Sequence, residues 1–208
     1  MPRGRPPRRT RAQVVAAAIA VADAEGLAAL TMRRLATELD AGVMSLYTYV
    51  RDKDDLVDQM VDHVSAFPPA ERPPGLLDLL RWQRALMLRH PWLPEALPNR
   101  RLTGENTLRF LEHGLAALAP TGLPGGTKME ILALLTGFVA SYAGHELAQA
   151  RAGITDPERI AAHVAQLRAA VAGGAYPELA RVLAEAAPAA PPSFDAIAQR
   201  MINGLLAG

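Results

Sequence analysis

The segment from Val14 to Val64 is punctuated more tightly than the rest of this chain, and its punctuation admits few folds. Val14 to Ala24 is rich in alanine, valine and isoleucine and free of glycine and proline. Thr10 is placed to cap its start, and Gly26 sits where a helix stops. Thr31 opens a second short helix in which Leu35 and Leu39 stand one helical period apart, and Asp40-Ala41-Gly42 breaks it. A third short helix runs from Val43 to Tyr49, with Leu46 and Val50 facing inward. A fourth starts beside Asp52 and carries Leu56, Met60 and Val64 at i, i+4 spacing. No run in the segment alternates with period two, so the spacing predicts helices on tight turns and no strand.

Phe67 to Gly75 (FPPAERPPG) then places four prolines and a glycine in nine residues, which ends one unit and separates it from the next. Beyond it, helical patterns span Leu76 to Arg89, Leu102 to Ala119, Lys128 to Arg151, Pro157 to Ala172, Tyr176 to Ala186 and Phe194 to Leu206. Turn signals separate them at Pro91 and Pro94, Pro120 to Gly126, Gly153, Gly173-Gly174 and Pro188 to Pro192. The fold class is all-α. A flexible basic arm (1–11) precedes a small helical unit (12–66), a Pro-rich junction (67–75) and a helical bundle (76–208).

The chain has 208 residues, half of them hydrophobic, which suffices for one ordinary domain or two small ones. Its 22 basic and 21 acidic residues nearly cancel, and arginine supplies nearly all the positive charge, since Lys53 and Lys128 are the only lysines. The distribution is uneven: five arginines and no acid fall in residues 1–11, and four basic against nine acidic residues in 12–63. The remainder is close to balance. The absence of cysteine excludes disulfides and cysteine-ligated metal, and fits a reducing compartment. Proline and arginine dominate the N-terminus where a signal peptide would be apolar, and the most apolar stretch, Ile131 to Ala143, is too short to span a bilayer. A soluble, cytoplasmic protein without a membrane partner is the expectation.

A helix-turn-helix needs a small residue in its first helix, a tight turn, and a buried apolar residue in its second. Ala36, Asp40 to Gly42 and Leu46 stand at those places. The helix from Val43 would then enter a major groove, with Met44, Ser45, Thr48 and Tyr49 facing outward and the Tyr47 hydroxyl reaching a phosphate. Thr31, Arg33 and Lys53 would hold flanking phosphates. Val43 and Met44 would read thymine methyl groups. A plain three-helix packing module with solvated charges has the same composition.

Leu30 to Val57, LTMRRLATELDAGVMSLYTYVRDKDDLV, resembles the DNA-binding domain of the TetR family of bacterial transcriptional regulators. The threonine that opens the second helix is Thr31, and the arginine near its start is Arg33. The run after the turn is Ser45-Leu46-Tyr47-Thr48-Tyr49-Val50, and the closing lysine is Lys53. Two positions depart from the family pattern: Asp40 stands for the usual turn glycine, and Gly42 for a residue that is often serine. The resemblance implies binding of double-stranded operator DNA as a homodimer and repression relieved by a small ligand. Arg3-Gly4-Arg5-Pro6 resembles a minor-groove hook. Arg3 and Arg5 would enter the groove while Arg8, Arg9 and Arg11 meet phosphates; a solubilising basic tail is the alternative.

The run Arg89-His90-Pro91-Trp92 resembles one subclass of TetR ligand-binding domains. The last long helices match the family's dimeric four-helix bundle, which nominates Leu135, Phe138 and Val139 with Ile197, Met201, Ile202 and Leu205 as dimer contacts. An effector pocket would draw on Trp82, Met87, Trp92, Leu97, Phe110, Leu111, Met129, Phe138, Tyr142 and His145, and would suit a fairly apolar molecule. No metal site or cofactor is expected: His145-Glu146 lacks a second histidine at helical spacing, and no phosphate-binding loop or G-x-S-x-G elbow occurs. The reading is a ligand-responsive repressor, not an enzyme. A constitutive or architectural DNA-binding dimer and an activator remain open alternatives. Deletion of residues 1–9 is expected to weaken operator binding and flatten its salt dependence, by about 0.9 in log–log slope for each phosphate no longer neutralised. Binding titrations across salt concentrations measure this, and an unchanged slope contradicts a DNA-contacting arm.

Overall fold

The Thr10 hydroxyl accepts the N–H of Gln13 while the Gln13 side chain accepts the N–H of Thr10, a reciprocal cap that starts α1 (Arg11–Glu25). The helix stops at Gly26, whose φ of +85° suits glycine. Val14, Val15, Ala18, Ile19, Val21 and Ala22 are its buried face. α2 (Met32–Glu38) is capped by Thr31 and buries Leu35 and Ala36. The chain then turns through Asp40 at φ +46°, the one non-glycine residue with positive φ among those described. Aspartate thus fills the left-handed position in which a glycine would be free of strain.

α3 (Val43–Leu46) is shorter than the expected helix to Tyr49. Residues 47–49 continue as hydrogen-bonded turns, with the N–H groups of Tyr49 and Val50 both on the Leu46 carbonyl. α4 (Lys53–Val64) is capped by Asp52 and buries Leu56, Val57, Met60 and Val61. This computed structural model describes residues 9–68, 73–97, 103–153, 157–185 and 193–207.

The body holds α5 (Leu76–Arg89), α6 (Leu93–Ala96), α7 (Glu105–Leu118) with a 3-10 turn at Ala119–Thr121, α8 (Gly125–Ala152), α9 (Pro157–Val171), α10 (Pro177–Glu185) and α11 (Phe194–Ala207). α6 is a single turn where the proline pair suggested only a break. Pro94 lies in its first turn, where the missing N–H leaves no helical bond unmade. α8 starts at Gly125 and passes straight through Gly144, so it is 28 residues long. By length and composition alone it reaches the span of a bilayer, contrary to the expectation from its apolar stretch. Its Ile131, Leu132, Leu135, Val139 and Ala143 are nevertheless buried in the protein's own core. That is how the central helix of a bundle is used.

α5 and α8 form the most extensive helix pair. Arg84 grips Glu146 through two short bonds of 2.8 and 2.6 Å, with its guanidinium against the rings of Tyr142 and Phe194. Arg81 holds Asp195 at 3.1 and 2.7 Å, drawing α11 onto α5. All but one (Leu79) of the buried apolar residues of α1 through α8 and of α11 make one cluster, so the small unit and the body share a core.

This packing corrects part of the expected dimer face. Leu135 and Val139 are 1% and 0% exposed and Ile202 is 5%, so they serve the chain's own core and have no surface left for a partner. Phe138, Ile197, Met201 and Leu205 are half-buried, and Leu134, one residue from Leu135, is 56% exposed. The strain at Asp40 is testable: Asp40→Val is expected to lower stability by about 1–2 kcal/mol and Asp40→Gly to raise it by about 0.5 kcal/mol. Urea midpoints at constant m-value read both changes.

Candidate DNA-reading surface and internal cavity

α3 is brought to the surface by Leu46, which is buried while its neighbours point outward. Met44 is 79% exposed and Tyr47 45%, the two largest side chains presented there. Ser45 and Thr48 are exposed too, but their hydroxyls donate to the carbonyls of Gly42 (2.6 Å) and Ser45 (2.7 Å). They present acceptor lone pairs outward and must rotate to donate to a phosphate. Val43 and Tyr49 are half-buried and pack on the core, which corrects the expectation that Tyr49 faces outward. Because the segment from Val43 to Tyr49 is only partly helical, the ring folds back at the turn instead of following the helical face.

The expected flanking residues are exposed as well. Thr31 and Arg33 are exposed at the start of α2, and Lys53 is exposed at the first turn of α4 with Nζ 3.4 Å from the Leu27 carbonyl. Gly42 starts α3 without a side-chain cap, so the N–H groups of that turn lack a protein hydroxyl. Arg34 is held by Glu25 and Glu38 at 2.7 and 2.9 Å; the hydrogen bond it donates to Glu25, then the one it donates to Glu38, raises its pKa. Arg9 donates to the Leu39 carbonyl and anchors the base of the arm at the end of α2. Arg3, Arg5 and Arg8 lie outside the described residues. Asp55 accepts the Arg51 N–H at 2.8 Å, and this bond first, then the Arg51 guanidinium, hold its carboxyl below the usual carboxylate range. A depressed carboxyl stabilises the fold above its unfolded pKa, and that contribution is lost as pH falls through the folded value.

Behind the small unit lies a partly open cavity of about 230 Å³. Five of the predicted pocket residues line it: Trp82, Met87, Leu97, Phe110 and Leu111. The others stand elsewhere. Trp92 is buried with its indole N–H on Asp23 at 2.7 Å. Phe138 and Tyr142 pack against Phe194 in a separate aromatic cluster. Met129 is 45% exposed, and His145 is exposed while its neighbour Glu146 is taken by Arg84. Sequence reasoning missed the polar lining: Ser65, Gln83, Thr107 and Thr136. A signal for Gln83 was present, because it interrupts the apolar stripe Leu76, Leu79, Leu80, Leu86 and Met87 on the inward face of α5.

Three residues of the small unit reach the cavity walls. Ser65, the residue that ends α4, lines the cavity itself. Asp62 Oδ1 accepts the backbone N–H (3.0 Å) and hydroxyl (2.7 Å) of Thr107, a lining residue, and so caps α7 from outside. Gly104, which starts α7, is required there because any Cβ would collide with the Asp62 carboxylate. On the opposite side, Asp23 of α1 binds His90 Nδ1 at 2.9 Å together with the Trp92 indole, between the lining residues Met87 and Leu93. Among the described residues, no group of three His, Asp or Glu side chains is placed to hold a metal ion.

Comparison with known proteins finds two family matches along the chain. Residues 14–60 match the family described as "Bacterial regulatory proteins, tetR family", and residues 75–208 match "Tetracyclin repressor-like, C-terminal domain". The chain is 36% identical to the HTH-type transcriptional repressor DrrR1 of Streptomyces coeruleorubidus, over 98% of this chain and 79% of that protein. Its fold is similar to that of apo ActR from Streptomyces coelicolor, with a TM-score of 0.75 and 29% identity over 97% of this chain and 96% of that one. ActR in complex with actinorhodin superposes equally well, with a TM-score of 0.75 and 29% identity over 96% and 98% of the two chains. A helix-turn-helix at the surface, a helical body behind it and matches over both halves make this chain a member of the TetR family of DNA-binding transcriptional regulators.

Proposed function

We propose that this chain is a one-component repressor, whose homodimer occupies a palindromic operator and is released by a small, fairly apolar effector bound in the body. The observation that carries this reading is the shared wall. Ser65 and Thr107 line the cavity while ending α4 and bonding Asp62 of α4 respectively, so an occupant bears on the helix that orients the DNA-reading surface. An effector with different affinities for two settings of that wall shifts the equilibrium between them, and the operator selects one setting. DrrR1 is named a repressor, and ActR is a relative crystallised with small molecules; both agree with this reading. A body packed solid would have favoured a constitutive DNA-binding dimer, and the cavity speaks against it.

The regulator works in the cytoplasm, on the nucleoid when bound to DNA, and carries no catalytic activity. The five arginines within residues 1–11, including Arg3, Arg5 and Arg8, extend the contact beyond the helix-turn-helix. The small unit comprises residues 12–66 and the sensing and dimerising body 76–208. The dimer forms through the outward stripe of α8 and α11: Leu134 with the still accessible parts of Ile197, Met201, Leu205 and Leu206.

The test of repression is selection of operator DNA with the purified full chain, followed by screening for compounds that release it. Tyr47→Phe is expected to weaken binding about fivefold across all sequences, the loss of about one hydrogen bond to phosphate. Met44→Ala is expected instead to change the preferred base at one position, most clearly when a thymine is replaced by deoxyuridine. Fluorescence anisotropy on matched operators distinguishes the two effects. Leu134→Asp is expected to shift the chain from dimer to monomer in sedimentation and to reduce operator affinity at least tenfold, because a charge buried in an apolar contact lacks a partner.

A further inference from the structure

The cavity has a chemistry more specific than apolarity. Its described lining is Trp82, Leu86, Met87, Leu93, Leu97, Phe110 and Leu111, with the polar groups of Ser65, Gln83, Thr107 and Thr136. None of these eleven side chains is ionisable at neutral pH, so a charged occupant would lose its hydration without gaining a counter-charge. One wall is aromatic: the rings of Trp82 and Phe110 lie 5.7 Å apart and 30° from parallel, and Phe67 leans on Trp82 at 4.9 Å. A flat ring extends such a wall in offset-stacked or edge-to-face contact. The volume of about 230 Å³ lies under the usual lower bound for drug-sized sites, about 300 Å³, which limits the occupant to a compact molecule.

Gln83 adds direction. It is only 6% exposed, and its Nε2 donates to Thr136 Oγ1 at 3.4 Å. Its Oε1 is a buried acceptor without a partner, the single such side-chain atom among the described residues. A buried acceptor left unmatched is unfavourable, and a donor delivered by an occupant recovers that loss. The Thr107 hydroxyl cannot supply it, because its proton is on Asp62. The effect is discriminating, since an isosteric molecule lacking the donor leaves the buried amide oxygen unmatched.

We propose that the cavity takes a compact, uncharged, flat aromatic molecule bearing a hydroxyl or N–H donor, the ring against Trp82 and Phe110 and the donor on Gln83 Oε1. This proposal rests on the reading of the cavity as the effector site and names the chemical class of its ligand.

Three probes share one ring system and differ only in the group under test: 1-naphthol, 1-methoxynaphthalene and 1-naphthoate. Calorimetric titration into the full-length dimer is expected to show 1-naphthol binding about tenfold more tightly than 1-methoxynaphthalene, the equivalent of one neutral hydrogen bond to a buried acceptor. 1-Naphthoate is expected to bind at least tenfold more weakly than 1-naphthol. In Gln83→Leu the first difference disappears; the variant retains its fold because leucine removes the unmatched atom without emptying the site. Equal binding of 1-naphthol and 1-methoxynaphthalene, or discrimination that survives in Gln83→Leu, overturns the role of Gln83. Binding of 1-naphthoate as tight as that of 1-naphthol overturns the uncharged class, and failure of all three to bind overturns the aromatic one. Operator release is scored separately with the same probes. Binding with the expected discrimination but unchanged operator affinity overturns the effector reading and leaves the ligand class standing.

Discussion

The carboxylate of Asp23 holds the two halves of this molecule in register. It projects from α1, in the small unit, and receives both the Trp92 indole N–H and the His90 ring nitrogen from the turn between α5 and α6. Trp92 is 2% exposed, so its N–H has no access to water and depends on that partner. A residue of the DNA-reading unit therefore satisfies a polar group buried in the body. Asp62 makes the matching connection on the other side, through Thr107 at the start of α7. Two carboxylates at the ends of different helices define the angle between the units, because each accepts two hydrogen bonds in a fixed direction.

That arrangement explains where the cavity lies and why it matters. The segments the carboxylates hold are the ones that line it: the last turn of α5 and α6 on the side of Asp23, the first turn of α7 on the side of Asp62, and Ser65 at the end of α4. A repressor needs two states that differ in the spacing of its DNA-reading surfaces, and a packed core responds to an occupant by switching between arrangements, not by stretching. The Arg81–Asp195 and Arg84–Glu146 pairs fasten α11 and α8 to α5 on the far side of the body.

Much of the DNA-reading unit was legible in the chain because its determinants are local. Thr10, Thr31 and Asp52 cap helices that begin beside them, Gly26 ends one, and Leu35, Leu46, Leu56 and Met60 fall inward by helical period alone. The break after α4 was legible for equally local reasons, since proline withholds the N–H that a continuing helix needs. Periodicity failed at Tyr49, which lies past the end of a four-residue helix and obeys the turn instead. It failed again on α8, where a 28-residue helix offers apolar side chains on more than one face and only contact with α5, α6, α7 and α11 decides which are core. Leu135 and Val139 went inward and Leu134 outward on that account.

The sequence by itself determined most of the helices and the caps of the first, second and fourth, because these follow from backbone propensity and spacing over a few residues. Tertiary structure decided which pocket candidates meet. Trp82, Met87, Leu97, Phe110 and Leu111 gather around one cavity, whereas Trp92, Phe138 and Tyr142 are spent in other contacts and Met129 and His145 face outward. It also decided that Gln83, one polar residue in an apolar stripe, keeps an unmatched acceptor at that cavity. Whether a buried amide is satisfied depends on what crosses from another helix, and Thr136 lies 53 positions away in the chain. No local pattern carries that information, since the partner is chosen by the packing of α8 against α5.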